Sequence, residues 1–113
     1  MRSDTERLHD ILEAIDQIRK HSSKGRGTFE RDELIQVWIV HHLARLGEAV
    51  ARLSPKLRRQ RKAPWKQIIG MRNILVHEYF RIDTETVWAA VDTHLLPLEK
   101  CVRAILAEVE DQG

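Results

Sequence analysis

Cysteine is nearly absent: Cys101 is the single one in 113 residues. Without a second thiol the chain cannot close an internal disulfide, and the cysteine-bearing zinc patterns are excluded. Aromatic residues are sparse at 5%, and there are only five glycines and three prolines. No glycine pattern that would cradle phosphates is present, so no bound nucleotide cofactor is expected. The apolar runs are too short to span a bilayer. The opening Met1-Arg2-Ser3-Asp4-Thr5-Glu6 is charged, with no apolar signal core behind it. These two absences lead us to expect a cytoplasmic protein with no membrane partner. The most informative absence is of acid. From Ala49 to His77 there is no Asp or Glu, while Arg52, Lys56, Arg58, Arg59, Arg61, Lys62, Lys66 and Arg72 supply eight cations. The remainder of the chain holds 11 of the 19 basic residues and all 17 acidic ones, so the net charge of +2 conceals a basic segment in an acidic protein. That asymmetry points to a polyanionic partner, with a solvated loop or an acidic protein as the other readings.

What is present suits one globular domain. Hydrophobic residues make up 42% and charged residues 32%, enough apolar content to bury a core at this length. The apolar spacing is helical nearly everywhere and nothing reads as a strand. Leu8, Ile11, Leu12, Ile15 and Ile18 form one stripe on a first helix from about Asp4 to His21. Gly25 and Gly27 interrupt it. A second helix, capped by Thr28 and running to about Leu53, is apolar over a wide arc from Leu34 to Val50. Ser54-Pro55 starts a short basic turn, and Pro64 starts a third main helix. Asp83 caps a fourth, which Pro97 should kink or break near Leu96. The expected fold is an all-α antiparallel bundle of four to five helices in one domain, 1–113. Cys101, beside Val102 and Ile105, reads as a small buried hydrophobe. Trp38, Trp65 and Trp88 read as core or interface anchors. The adjacent pair His41-His42, with His9, His21 and His94, gives no ligand spacing, so no metal is expected.

The stretch Gly70-Met71-Arg72-Asn73-Ile74-Leu75-Val76-His77-Glu78-Tyr79-Phe80 stands out. Asn73 and His77 share a helical stripe, whereas Arg72 and His77 diverge by about 140° on an ideal helix. One phosphate would reach both only through long side chains, a distortion, or a second copy of the helix. Apolar residues surround these polar groups on all sides, as on a helix packed against both its own core and a partner subunit. The residue types suit RNA cleavage. Histidine moves protons near neutrality, arginine forks phosphate oxygens, and Asn73 is placed to orient the imidazole. Read from the residues alone, a buried hydrogen-bonded Arg–His pair is the competing account. Glu48, between Gly47 and Ala49, reads either as a buried carboxylate facing this motif or as a surface residue.

Arg72-Asn73-Ile74-Leu75-Val76-His77-Glu78-Tyr79 resembles the R-N-x-x-x-H-x-Y signature of HepT-like proteins of the HEPN superfamily. Leu46-Gly47-Glu48-Ala49, the lead-in Pro64 to Met71, Ile82-Asp83 through Val87-Trp88, and Leu96-Pro97-Leu98 resemble the family's other segments, so the likeness runs from about Leu34 to Leu98. It implies a helical homodimer with two copies of the motif at a shared cleft. It also implies metal-independent ribonuclease activity, with Arg72 and His77 as the catalytic pair and Asn73 beside them. Further, it implies a toxin partnered by an MntA-like nucleotidyltransferase antitoxin that transfers AMP to Tyr79. On this reading RNA is the substrate, and Arg52, Lys56, Arg58, Arg59, Arg61, Lys62 and Lys66 steer RNA or grip the antitoxin. The rival reading is a non-catalytic binding or regulatory subunit of a nucleotidyltransferase pair. A purely structural helical dimer ranks third, because it leaves the acid-free segment unexplained.

Overall fold

The computed structural model describes the backbone of residues 2–77 and 83–112, and within that span every side chain except those of Ile74, Val76, His77, Glu110, Asp111 and Gln112. The described residues form six helices and no strand: α1 (Asp4–Ser22), α2 (Arg26–Arg31), α3 (Glu33–Ala51), α4 (Pro55–Gln60), α5 (Trp65–His77) and α6 (Thr84–Gln112). The all-α expectation is met, with two short helices beside four long ones.

Local chemistry explains the boundaries. Ser3 caps α1 by accepting a hydrogen bond from the Glu6 amide, with Asp4 and Glu6 in the first turn and Arg19, Lys20 and His21 in the last, matching the helix dipole. The chain turns at Gly25, whose φ of +95° is disfavoured for side-chain-bearing residues. The expected long helix capped by Thr28 is two helices instead. Thr28 lies inside α2, and Asp32 caps α3 by accepting from the amides of Leu34 and Ile35. Two forces favour the division. Aspartate is a stronger cap than threonine, and the separate turn drives Phe29 into full burial against Trp88, ring centroids 5.4 Å apart.

Helices α1 and α3 pack antiparallel. Trp38 Nε1 donates to the Gln17 carbonyl (2.7 Å) at one end of the α1–α3 pair, and Ser54 donates through its amide and hydroxyl to Asp4 (3.0 and 2.7 Å) at the other. Helix α6 runs against α1 in the same sense: Arg19 pairs with Glu99 at 2.6 Å, while His9 and Leu12 share a shallow cleft with Arg103 and Leu106. Helix α3 is central, touching both α1 and α5. This accounts for its wide apolar arc: Ile35, Ile39, Leu43, Leu46, Ala49 and Val50 are all buried. A contiguous core links α1, α2, α3, α5 and α6.

Of the two outcomes expected at Pro97, a kink or a break, the break does not occur: α6 continues from Thr84 to Gln112. Pro97 and Thr93 are both on the exposed face, so the Thr93 carbonyl that loses its partner can bond to water. Leu95 and Leu98, at 2% and 0% exposure, hold the two sides of the proline in the core. Asp83 caps α6 as expected, accepting from the amides of Glu85 and Thr86. Among the described residues, no helix is long and apolar enough to cross a membrane.

Candidate active site

The site lies at the seam of α3 and α5. Its geometry begins with a glycine. A Cβ at Gly47 would overlap Arg72 Cβ, sit 2.9 Å from Arg72 Cγ and lie 3.2 Å from the Ile68 carbonyl oxygen. Only a residue with no side chain lets α5 approach α3 this closely. The approach places the base of Arg72 directly on the α3 backbone, one residue before Glu48.

Glu48 then fixes the guanidinium. Arg72 Nη2 donates to Glu48 Oε2 at 2.6 Å, Arg72 Nη1 donates to Asn73 Oδ1 at 2.9 Å, and Arg52 Nε donates to Glu48 Oε1 at 2.5 Å. One carboxylate therefore bridges two guanidiniums. The hydrogen bond from Arg52, followed by the charge and hydrogen bond of Arg72, holds the Glu48 carboxyl below the usual carboxylate range. The cluster is half-open to water, with the Arg72 and Glu48 side chains 32% and 38% exposed. Arg72 Nε is buried and meets no acceptor among the described residues. The result is a charged fork, braced from behind by Glu48 and from the side by Asn73, with N–H groups to spare.

The sequence expectations map onto this seam unevenly. Arg72 and Asn73 are together, and Glu48 faces them as one of its two readings required, though half-exposed rather than buried. His77 is the last residue of α5, but its side chain, and with it the expected contact to Asn73, lies outside the described residues. Tyr79 lies outside them as well. Of the seven cations expected to grip RNA or a partner, Arg52 is committed to Glu48 and Arg61 pairs with Glu108. Lys56, Arg59, Lys62 and Lys66 are exposed and have no carboxylate partner among the described residues. Arg58 is partly buried, and its Nε meets no acceptor among the described residues.

Of the remaining candidates, His42, Cys101 and the tryptophans fall into the core or its edge, whereas His9 and His41 are exposed. His42 is 5% exposed, and its ring lies 4.6 Å from Trp38 and 4.9 Å from His41. Burial, with the neighbouring charges of His41 and Arg45, pushes the His42 pKa down, so it is neutral at pH 7. Among the described residues, no group of three His, Cys, Asp or Glu could hold a metal. Cys101 is partly buried against the core and its thiol is pushed up by burial, which keeps it protonated and unreactive. Trp65 is buried, with Nε1 donating to the Arg61 carbonyl, and Trp88 packs on Phe29. All three tryptophans are thus anchors.

Sequence reasoning missed what lies on the other side of Glu48. An open groove of roughly 540 Å³ between α1 and α3 is lined by Arg2, Arg7, Asp10, His41, Ala44, Arg45, Glu48 and Ala49. A signal was available within α3. Arg45, Glu48 and Arg52 are spaced three and four apart and so share a stripe.

The arrangement is a helical domain with an arginine fork at a glycine-tight helix seam and a histidine five residues further along the sequence. The comparisons make this specific. A family model described as "Ribonuclease HepT-like" matches residues 11–105, and the chain belongs to that family. It is 38% identical over 79 residues to "Putative RNase TTE0752" of Caldanaerobacter subterraneus subsp. tengcongensis, covering 69% of this chain and 70% of the relative. It is 30% identical over 105 residues to "Putative RNase MJ1216" of Methanocaldococcus jannaschii, covering 91% and 87%. To "Probable ribonuclease HepT" of Thermococcus cleftensis it is 30% identical over 92 residues, covering 80% and 84%. No solved structure matches the chain.

Proposed function

We propose that the protein is a metal-independent endoribonuclease of the HepT type, the toxin of a toxin–antitoxin pair, acting as a homodimer in the cytoplasm. The observation that carries this reading is the braced Arg72 fork. Glu48 and Asn73 fix a guanidinium that keeps spare N–H groups, and fixed donors stabilise the charge that builds on a phosphorane-like transition state. RNA supplies its own nucleophile. The 2′-hydroxyl attacks the adjacent phosphorus, His77 takes its proton, and the new 2′-O–P bond forms as the P–O5′ bond breaks. The proton returns to the departing 5′-oxygen, leaving a cyclic phosphate and a free 5′-hydroxyl. Arg72 and His77 diverge around one helix, so a second copy of α5 across a two-fold axis is the economical way to present both to one phosphate.

Control of this activity follows the same charge logic. AMP transferred to Tyr79 by an MntA-like nucleotidyltransferase would add bulk and negative charge two residues from His77, repelling RNA from the cleft. Lys56, Arg59, Lys62 and Lys66 are the exposed cations available to steer RNA or to hold that partner.

The test is incubation of purified, unmodified protein with total RNA, with and without EDTA, beside the His77→Ala variant. Cleavage that survives EDTA, yields cyclic phosphate ends and vanishes in H77A, while sedimentation still shows a folded dimer, is the expected result. No cleavage by unmodified protein would overturn the nuclease reading in favour of a non-catalytic subunit of a nucleotidyltransferase pair.

A further inference from the structure

The groove between α1 and α3 has a charge balance that singles out two of its residues. Arg2 spends Nε and Nη2 on Asp10, at 2.9 and 2.7 Å, so that pair cancels. Glu48, at the groove's other end, is more than cancelled by Arg52 and Arg72. Arg7 and Arg45 remain, with no carboxylate within ion-pair distance among the described residues. Arg45 is nonetheless not loose. Its Nη1 lies 3.5 Å from His42 Nδ1, a weak contact to a ring whose charged form burial disfavours. That leaves Arg45 its full positive charge and its outward N–H groups.

Position supplies the second argument. Glu48 both lines the groove and holds Arg72, so one carboxylate links the groove's end to the arginine fork. Arg45 and Arg52 are seven residues apart on α3, roughly 10 Å along the axis. Phosphates of a single strand lie farther apart than the roughly 3.4 Å axial rise of a duplex strand, so that span covers about one to two nucleotides. A strand with one phosphate on Arg72 would carry its neighbouring phosphates along this stripe and into the groove.

We propose that Arg7 and Arg45 form a phosphate subsite for the single-stranded RNA that flanks the scissile bond, so that substrate is gripped across α1 and α3 as well as at α5. The inference rests on the nuclease reading above and adds to it the direction the strand takes. Ala44 and Ala49 keep the groove floor small-sided, suiting a backbone track better than a pocket for one base. The contact is to phosphate, so it contributes affinity and placement without reading sequence.

The experiment compares an Arg7→Ala/Arg45→Ala double variant with a Lys24→Ala/Lys100→Ala control of equal charge loss outside the groove. Binding of a fluorescein-labelled single-stranded RNA is measured by anisotropy across a salt series in the H77A background, and cleavage kinetics in the otherwise unchanged protein. The groove variant should bind about ten-fold more weakly. Its log–log salt slope should fall by roughly 1.4, about 0.7 for each phosphate that an arginine no longer neutralises. KM should rise with kcat held, and Arg45→Lys should restore most of the affinity. The control should stay within two-fold of the parent. Equal losses in both variants, or no loss in the groove variant while the parent still binds and cleaves RNA, would overturn the subsite and leave the nuclease reading standing. A change of sedimentation confined to the groove variant would instead show a contact between copies, and also overturn it. A parent that neither binds nor cuts RNA would overturn both.

Discussion

Replacing Gly47 by alanine adds one methyl group, yet it should damage the site far more than the fold. In a helix the exchange is favourable in isolation, worth about 1 kcal/mol of helix propensity. Against this stands the seam. The new methyl would overlap Arg72 Cβ and lie 2.9 Å from Cγ, where carbon atoms settle at about 3.5–4.0 Å. The contacts are close to the α5 backbone, including the Ile68 carbonyl at 3.2 Å, so a side-chain rotation cannot relieve them and α5 must retreat by roughly 1 Å. Overpacking of this kind costs about 1–3 kcal/mol, leaving a net loss of about 0–2 kcal/mol. For a domain of this size that is a fall in Tm of up to roughly 10 °C. A displacement of about 1 Å at catalytic groups can lower a rate by about 100-fold, and here the displaced group is Arg72 itself.

The paired measurement is Gly70→Ala. Gly70 is also helical, in α5, and a Cβ there meets nothing within 4 Å. The same chemical change should therefore raise stability by about 0.4–1 kcal/mol and leave RNA cleavage intact. Thermal unfolding followed by circular dichroism, with cleavage assayed on the same samples, separates the two glycines. If G47A cleaves RNA at the parental rate, or if G47A and G70A shift Tm alike, the claim that Gly47 sets the position of Arg72 is wrong.

Two further outcomes follow from the charges. Glu48→Gln keeps the shape but leaves two guanidiniums facing each other, so Arg72 loosens. Cleavage should fall roughly ten-fold, the scale of one charge-assisted hydrogen bond, with Tm little changed; single-turnover kinetics beside thermal melts check it. Stability should also fall in acid by two steps with different owners. His42 is pushed down in the folded state, so its contribution is complete above its ordinary pKa near 6.5 and declines as pH drops below that. Glu99 is held down by the hydrogen bond from Arg19, so its contribution persists to lower pH and declines only below the ordinary carboxylate range. Urea melts from pH 7 to pH 3 should lose the first step in His42→Gln, while Glu99→Gln should shrink the second without abolishing it, because Glu48 and Asp83 are also held down in the folded state.

Much of the fold was legible because each long helix carries a stripe at helical spacing and few residues interrupt it. The first helix, the wide arc of α3 and the Asp83 cap are all local patterns. The reading failed where tertiary context outweighed a local rule. Thr28 followed by apolar residues looks like a helix start, but burying Phe29 requires a separate turn and Asp32 caps better. Pro97 left a kink or a break open, and the break does not occur because the proline faces water, where its missing hydrogen bond matters least. The site divides along the same line. Arg72, Asn73 and His77 are adjacent in sequence and form a pattern that can be read there. The brace is long-range: Glu48 and Arg72 are 24 residues apart, so the sequence left a surface position for Glu48 as open as a contact with the motif.

One turn of α3 couples packing to charge. Gly47 brings α5 close, and only at that distance can the next residue, Glu48, reach Arg72 with a 2.6 Å bond. Arg52, one turn on, then offsets the negative charge that would otherwise neutralise the fork. Without Arg52, Arg72 and Glu48 would form a neutral pair with little attraction for phosphate. With it, the three groups carry one net positive charge and a fixed geometry. Arg52 therefore serves phosphate binding at one remove, by leaving Arg72 its cationic character, and its place in the acid-free segment has a cause beyond long-range attraction of RNA. The same reasoning separates it from Lys62 and Lys66, whose exposed charges act at a distance and weaken with salt, whereas the Glu48 bridge is set by contact.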